Sequence, residues 1–372
     1  MRETLFWLDE CCKWLKGPGL DSLVLYVTSR CNAGCEFCCY HNNLNQGPEL
    51  SLDEIESVAR KLGSLRGLLI AGGEPFLRTH LAEIVLAFVH HSHTQVVQIP
   101  TNGYFPDRAV ECVKKILAAA PGLNLSIQVS LDALGETHNE LRRLKDGFVR
   151  AEETIRKLGE LKRHDNALRI LVVSVLSPQT LPYARALATY VRDDIKPDYH
   201  WFEPVRGGHL ADSLRTALDN ETRTFLRKNL GHYLYRSCGR STSIYSSRSM
   251  NKMITAFSLN NFDIAYNNLL AGHKWPVRCR AGEKIAVLYP DASLALCELL
   301  PQRVNLRDQA WDIPRALGSE QFSQSFRAIR RHECDCTHGC FIPPSVRYSA
   351  PELGKILLKG LWLDKRSIDT GE

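Results

Sequence analysis

Between Leu23 and about Val205, six short apolar runs alternate with amphipathic segments, and this alternation limits the chain to very few folds. The runs are Leu23–Thr28, Leu68–Ala71, Gln95–Ile99, Leu125–Ser130, Leu168–Leu176 and Tyr199–Glu203. They are rich in Val, Ile and Leu, as parallel strands covered on both faces are. The segments between them read as helices. Ser51-Leu52-Asp53-Glu54 is a capping box that opens the first, and Arg78 to His91, Asp107 to Ala119, Phe148 to His164 and Leu181 to Arg192 supply the others. Six βα units predict an α/β protein with a parallel sheet, either a barrel or a doubly wound sheet.

Polar segments follow the carboxyl ends of successive strands. The first holds Cys31, Cys35 and Cys38 in a C-x3-C-x2-C spacing. Three thiolates on one loop can converge on a soft-metal centre. Iron–sulfur clusters are held by such runs, usually of four cysteines, so three would leave one iron open. A zinc site or chance are the competing readings, because the chain has 13 cysteines and Cys39 adjoins Cys38. The next segments are Gly72-Gly73-Glu74-Pro75, Thr101-Asn102-Gly103, and Ser130-Leu131-Asp132 followed by His138, Arg142 and Arg143. Glycines there permit close approach to the backbone, and a Glu74 carboxylate can accept from an ammonium group. Active sites of parallel barrels are built at this end of the strands, which favours the barrel.

These segments resemble the radical SAM superfamily, whose signature is C-x3-C-x-aromatic-C, with Phe37 in the aromatic slot. The resemblance covers roughly half of the chain and implies a partial (β/α)6 barrel of the TIM type. It also implies a [4Fe-4S] cluster on Cys31, Cys35 and Cys38, with S-adenosyl-L-methionine (SAM) on the open iron. Gly72, Gly73, Glu74 and Pro75 would meet the methionine amino group, and Asn102, Ser130 and Arg142 would meet the rest of the cofactor. Ala133 stands where the family often has Gly. For one of Arg142 and Arg143, a solvated helix face is the expected place.

A second cysteine group comprises Cys279, Cys297, Cys334, Cys336 and Cys340. The stretch between Cys279 and Cys297 reads as a β-hairpin around Pro290-Asp291-Ala292. It resembles the twitch and SPASM domains appended to many radical SAM enzymes. A full SPASM domain has seven cysteines; with five, a single auxiliary [4Fe-4S] cluster is expected, on Cys279, Cys297 and two of the other three. Four thiolates would serve a structural zinc equally well.

The 372 residues then divide into an N-terminal amphipathic helix (1–20), the barrel (21–205), a basic linker or lid (206–275), the auxiliary-cluster domain (276–345) and a C-terminal helix (346–372). The linker carries nine Lys/Arg against three Asp/Glu between Arg206 and Lys252, and holds Cys238 and Tyr245 as candidate hydrogen donors. No run approaches the length of a membrane span and no signal peptide is legible. An odd number of cysteines without an export signal points to reduced, cytoplasmic thiols. A formal charge of +6 hints at an anionic substrate, without the basic stripe of a nucleic-acid binder. The expected activity is hydrogen abstraction from a small, anionic or sugar- or nucleotide-like metabolite, with an electron donor such as flavodoxin or ferredoxin. Maturation of a ribosomal peptide is the alternative, although only about twenty residues precede the first strand. A non-catalytic, metal-stabilised binding protein is the alternative of another class.

Overall fold

The computed structural model describes residues 19–163, 167–206, 208–238, 248–271, 275–333 and 338–363, with backbone alone at 208–210, 235–238, 248–251 and 271. The expected helix within residues 1–20 therefore lies almost wholly outside the described residues, as do Tyr245, Cys334, Cys336 and the side chain of Cys238.

Each of the six apolar runs forms a strand within a residue or two of its expected bounds. They are β1 (Ser22–Tyr26), β2 (Gly67–Ala71), β3 (Val96–Thr101), β4 (Asn124–Ser130), β5 (Leu168–Leu176) and β6 (Tyr199–Pro204). All pair in parallel and in sequence order. The hairpin also forms: β7 (Ile285–Leu288) and β8 (Ser293–Ala295) run antiparallel, and β9 (Val304–Asn305) follows β8. The hairpin does not stand apart from the main sheet. β7 lies parallel to β1 on the side opposite β2, giving the order β6-β5-β4-β3-β2-β1-β7-β8-β9.

Burial along the strands departs from the sequence reading. β1 is buried throughout, as a central strand should be. β3 to β6 alternate, with one face fully covered and the other only partly. The covered face packs under helices such as Pro106–Ala119 and Gly147–Lys162. The other face lines a cavity, which explains the polar Gln98, Ser126 and Gln128 within otherwise apolar strands.

The helices follow the sequence closely where amphipathic pattern and caps agree. Leu52–Leu62 has both bonds of its capping box, Glu54 N–H to Ser51 Oγ at 3.1 Å and Ser51 N–H to Glu54 Oε2 at 2.8 Å. The expected helix from Leu181 breaks into a short 3₁₀ turn, Ala184–Tyr190, and a π turn over Val191–Ile195. A helix forms over Gly135–Arg142, where the sequence reading expects a helix face at the arginines but no cap or periodicity marks its bounds. The linker is helical and packed: Gly208–Ala217, Asn220–Cys238 and Arg248–Ala271 lie against one another or the sheet. The C-terminal helix, Ala350–Trp362, docks on Arg248–Ala271 and leaves Leu358, Leu361 and Trp362 exposed. No described helix is long and apolar enough to cross a membrane.

Gly103 pins the end of β3 to the helix Gly147–Lys162. Its φ is +76°, and a Cβ there would stand 2.7 Å from Ala151 Cα; its carbonyl accepts from Thr154 Oγ1 at 2.6 Å. Gly103→Ala adds both backbone strain and overpacking, so denaturant unfolding should show a loss of about 2–3 kcal/mol.

Candidate active site at the carboxyl ends of the strands

The loop after β1 carries Cys31, Cys35 and Cys38, and its own side chains shape it. Asn45 braces Cys31 from both sides, accepting from its N–H at 2.9 Å and donating to its carbonyl at 3.3 Å. Phe37 and Cys35 are buried in the core, which turns the loop inward. Backbone N–H groups donate to sulfur, from Ala33 to Cys31 at 3.4 Å and from Tyr40 to Cys38 at 3.4 Å. Burial pushes the Cys31 thiol up to about 11 and raises Cys35 and Cys38. Cys31 also feels the Cys35 charge, and Cys38 feels both. A metal centre bound by such thiols displaces their protons.

No group of three His, Cys, Asp or Glu side chains among the described residues closes on a single metal ion. A cluster of several irons holds its thiolates farther apart than one zinc ion does. Three thiols on one loop, two of them with N–H···S bonds, are a donor set that an iron–sulfur cluster can use.

The glycines after β2 admit the protein's own backbone. A Cβ at Gly72 would stand 2.6 Å from the Thr28 carbonyl oxygen, and one at Gly73 only 2.2 Å from that of Arg30. The two segments are bonded, Gly73 N–H to Thr28 O at 2.9 Å and Glu74 N–H to Arg30 O at 2.8 Å. The Glu74 carboxylate is buried and accepts from Thr101 Oγ1 at 2.8 Å, Asn102 N–H at 2.7 Å and Phe76 N–H at 3.1 Å. Burial outweighs those bonds and pushes Glu74 up to about 7. With about four acceptor positions on a carboxylate, one is left for a ligand. Pro75 is buried in the 3₁₀ turn that follows.

Asn102 reaches back to the cysteine loop, donating from Nδ2 to Asn32 Oδ1 at 2.8 Å. Ser130 stands half-buried at the end of β4, in register with Val173 of β5. The structure separates the two arginines. Arg143 is exposed and pairs with exposed Glu36. Arg142 is buried, its Nε donating to Asp132 Oδ2 at 2.6 Å. Burial disfavours its charge, but Asp132 and Cys35 hold it firmly protonated. Its carbonyl accepts from Gly34 N–H at 2.9 Å, which places this cation beside the thiols. His138, pushed down to about 4 by burial, stays neutral and accepts from Asp132 N–H at 3.2 Å.

Beneath this layer lies a cavity of about 650 Å³. It is lined by the concave face of β3 to β6, by helix Arg248–Ala271, and at its upper end by Glu203, Arg206 and Cys340. Pattern reading missed the polar network there. Glu298 accepts from Tyr26 OH at 2.8 Å and pairs with Arg206 at 2.6 Å and His338 at 2.8 Å. Although burial pushes the other way, Arg206 and His338 hold Glu298 well below the usual carboxylate range. The signals were Glu298 beside Cys297 and Arg206 just past β6. Of the tail cysteines, Cys297 is buried and Cys279 half-buried. Cys340 lies 3.4 Å from Arg206 Nη2, and burial pushes it up to about 12.

Arg142→Met would strand the Asp132 carboxylate in the interior, so the metal-free protein should lose about 3–5 kcal/mol in a denaturant titration. Arg143→Met at the surface should change stability by no more than about 0.5 kcal/mol.

The sequence model of the radical SAM superfamily matches residues 25–186. Among curated proteins, the chain is 32% identical over 142 residues to the sporulation killing factor maturation protein SkfB of Bacillus subtilis (strain 168), covering 37% of this chain and 33% of that protein. It is 32% identical over 146 residues to GTP 3′,8-cyclase of Listeria monocytogenes serovar 1/2a, covering 36% and 42%. The chain thus spans well under half the length of these relatives. Among solved structures, native anSMEcpe with bound AdoMet superposes with a TM-score of 0.56 at 16% identity, over 91% of this chain and 97% of that one. Streptococcus suis SuiB bound to S-adenosylmethionine gives 0.52 at 15%, over 84% and 68%. At such identities the structural likeness speaks for the fold alone, and the match to the radical SAM superfamily lies at residues 25–186, the segments that carry the cysteine loop and the strand-end residues.

Proposed function

We propose that the protein is a radical SAM enzyme whose strands β1 to β6 act as a partial (β/α)6 barrel and whose substrate is a small polar metabolite held in the cavity. Cys31, Cys35 and Cys38 would hold a [4Fe-4S] cluster. Glu74, Asn102, Ser130 and Arg142, with the Gly72-Gly73 backbone, would hold S-adenosylmethionine. Bound there, cluster and SAM would supply the chemistry of a 5′-deoxyadenosyl radical, hydrogen abstraction from an unactivated carbon.

The chain's own residues do the rest. The Phe37 and Cys35 side chains anchor the loop, and Arg142 offsets thiolate charge in a site sheltered from water. Charge and N–H···S bonds of this kind tune cluster potential. An electron carrier such as flavodoxin or ferredoxin would dock from outside. Cys279, Cys297 and two of Cys334, Cys336 and Cys340 would hold an auxiliary [4Fe-4S] cluster; of these, Cys340 lines the cavity among the described residues.

The observation that carries the metabolite reading is the cavity itself. Its volume is that of a small-molecule site, and Gln98, Ser126, Gln128, Thr255, Ser258 and Asn261 line it with neutral hydrogen-bonding groups. Likeness to the SkfB maturation protein favours a second reading, a peptide substrate; likeness to GTP 3′,8-cyclase at the same identity favours the first. Incubating the reconstituted enzyme with SAM, reductant and either metabolite or peptide pools separates them, since 5′-deoxyadenosine should rise with metabolites. A rise with peptides alone would overturn the metabolite reading.

Anaerobic reconstitution should yield about two four-iron clusters per chain, and replacing Cys31, Cys35 and Cys38 together by Ala should leave one. Zinc without iron after reconstitution would sink the proposal. Cys297→Ala should remove the auxiliary cluster and leave reductive SAM cleavage intact, while substrate turnover falls steeply. The variant must first be shown soluble, because losing a metal site also costs folding energy.

A further inference from the structure

The cavity has a charged end that neither the cysteine loop nor the cofactor residues use. Lys162 closes the helix Gly147–Lys162, Arg169 lies near the start of β5, and Lys196 sits in the turn before β6; all three line the cavity. Among the described residues one carboxylate, Asp198, stands with them. It pairs with Lys162, lies 4.0 Å from an Arg169 Nη1, and accepts from Ile170 N–H at 2.8 Å. Lys196 makes no ion pair among the described residues; Asp193, which feels its charge, is held by both Arg192 nitrogens at 2.8 Å. Among the described residues, three cations therefore face one anion, a surplus of two positive charges.

Arg169 and Lys162 are partly sheltered, with side chains 29% and 28% exposed. An anion there would be only partly screened by solvent. A carboxylate would cancel one of the two surplus charges. A phosphoryl group carries about −1.5 to −2 near neutral pH and offers three acceptor oxygens, which matches both the surplus and the guanidinium fork.

The register along β5 gives the reach. Val173 lines the cavity and pairs with Ser130, in the layer of the strand-end residues. Arg169 lies four residues earlier on the same face, about 13 Å at 3.3 Å per residue. We infer that Lys162, Arg169 and Lys196 form a phosphoryl-binding subsite, which anchors a phosphorylated small-molecule substrate at one end of the cavity and leaves its body to extend some 13 Å toward the Ser130 layer. The inference rests on the metabolite reading above and names its substrate class.

The test is direct anion binding to the full-length protein, by calorimetric titration and ³¹P line broadening with inorganic pyrophosphate, and with succinate as the carboxylate probe. The wild type should bind pyrophosphate, and more tightly than succinate. The double variant Arg169→Gln, Lys196→Gln should bind it about tenfold or more weakly, and Arg108→Gln, away from the cavity, should match the wild type. If the double variant does not fold, Lys196→Gln alone, at an exposed position, should still weaken binding severalfold. Pyrophosphate binding that is absent, equal to succinate, or unchanged in the variants overturns the inference. The measurement needs no cluster, so missing anion binding with intact SAM cleavage sinks this subsite alone, whereas anion binding without SAM cleavage sinks the proposed activity.

Discussion

The buried pair between Arg142 and Asp132 holds the site together. Asp132 ends the β4 segment and also accepts from Val175 N–H of β5 at 2.8 Å, so the carboxylate ties two strands. Arg142, in turn, carries the carbonyl that fixes Gly34 in the cysteine loop. A charge pair taken out of water is costly unless every lone pair and proton is matched. Here Asp132 is matched by guanidinium and backbone, and the guanidinium faces the thiols. The same interaction that organises the strand ends therefore also supplies positive charge where thiolates would gather.

A second constraint is the open edge of the six parallel strands. β1 pairs with β2 and β7, and β6 pairs only with β5, so no backbone ladder joins β1 to β6. Glu298 spans that gap with side chains, taking Tyr26 OH from β1 and Arg206 from just past β6. Glu203 adds Trp201 Nε1 at 2.6 Å and Gly339 N–H at 3.1 Å. The tail is thus wired to the mouth of the cavity, and Cys340 is placed beside it. Removing one partner of an ion pair buried in this way would leave an uncompensated charge in the interior.

The strand-end residues were legible because the code for them is local. A strand followed by three spaced cysteines, by Gly-Gly-Glu-Pro or by Thr-Asn-Gly puts those residues on adjacent loops whatever the distant packing. Gly73 carried a correct signal of close approach, yet its partner, the Arg30 carbonyl, lies 43 residues away and could not be read. Nor could Arg142 be told from Arg143. That depended on a short helix, Gly135–Arg142, with little amphipathic pattern, and on Asp132 waiting at its inner face. Gln98, Ser126 and Gln128 stood in the strands as polar exceptions, a sign of a lined cavity rather than of two covered faces.

The sequence by itself determined the α/β alternation and the gathering of cysteines, glycines and acceptors at one end, because periodicity, caps and turn residues act over a few positions. Only the tertiary structure decided that β7 extends the main sheet beside β1, that Glu298 bridges β1 and Arg206, and that Lys162, Arg169 and Lys196 crowd one carboxylate at the end of a cavity. Those outcomes depend on electrostatic and packing contacts between residues tens to hundreds of positions apart, and no local pattern encodes which charge will meet which.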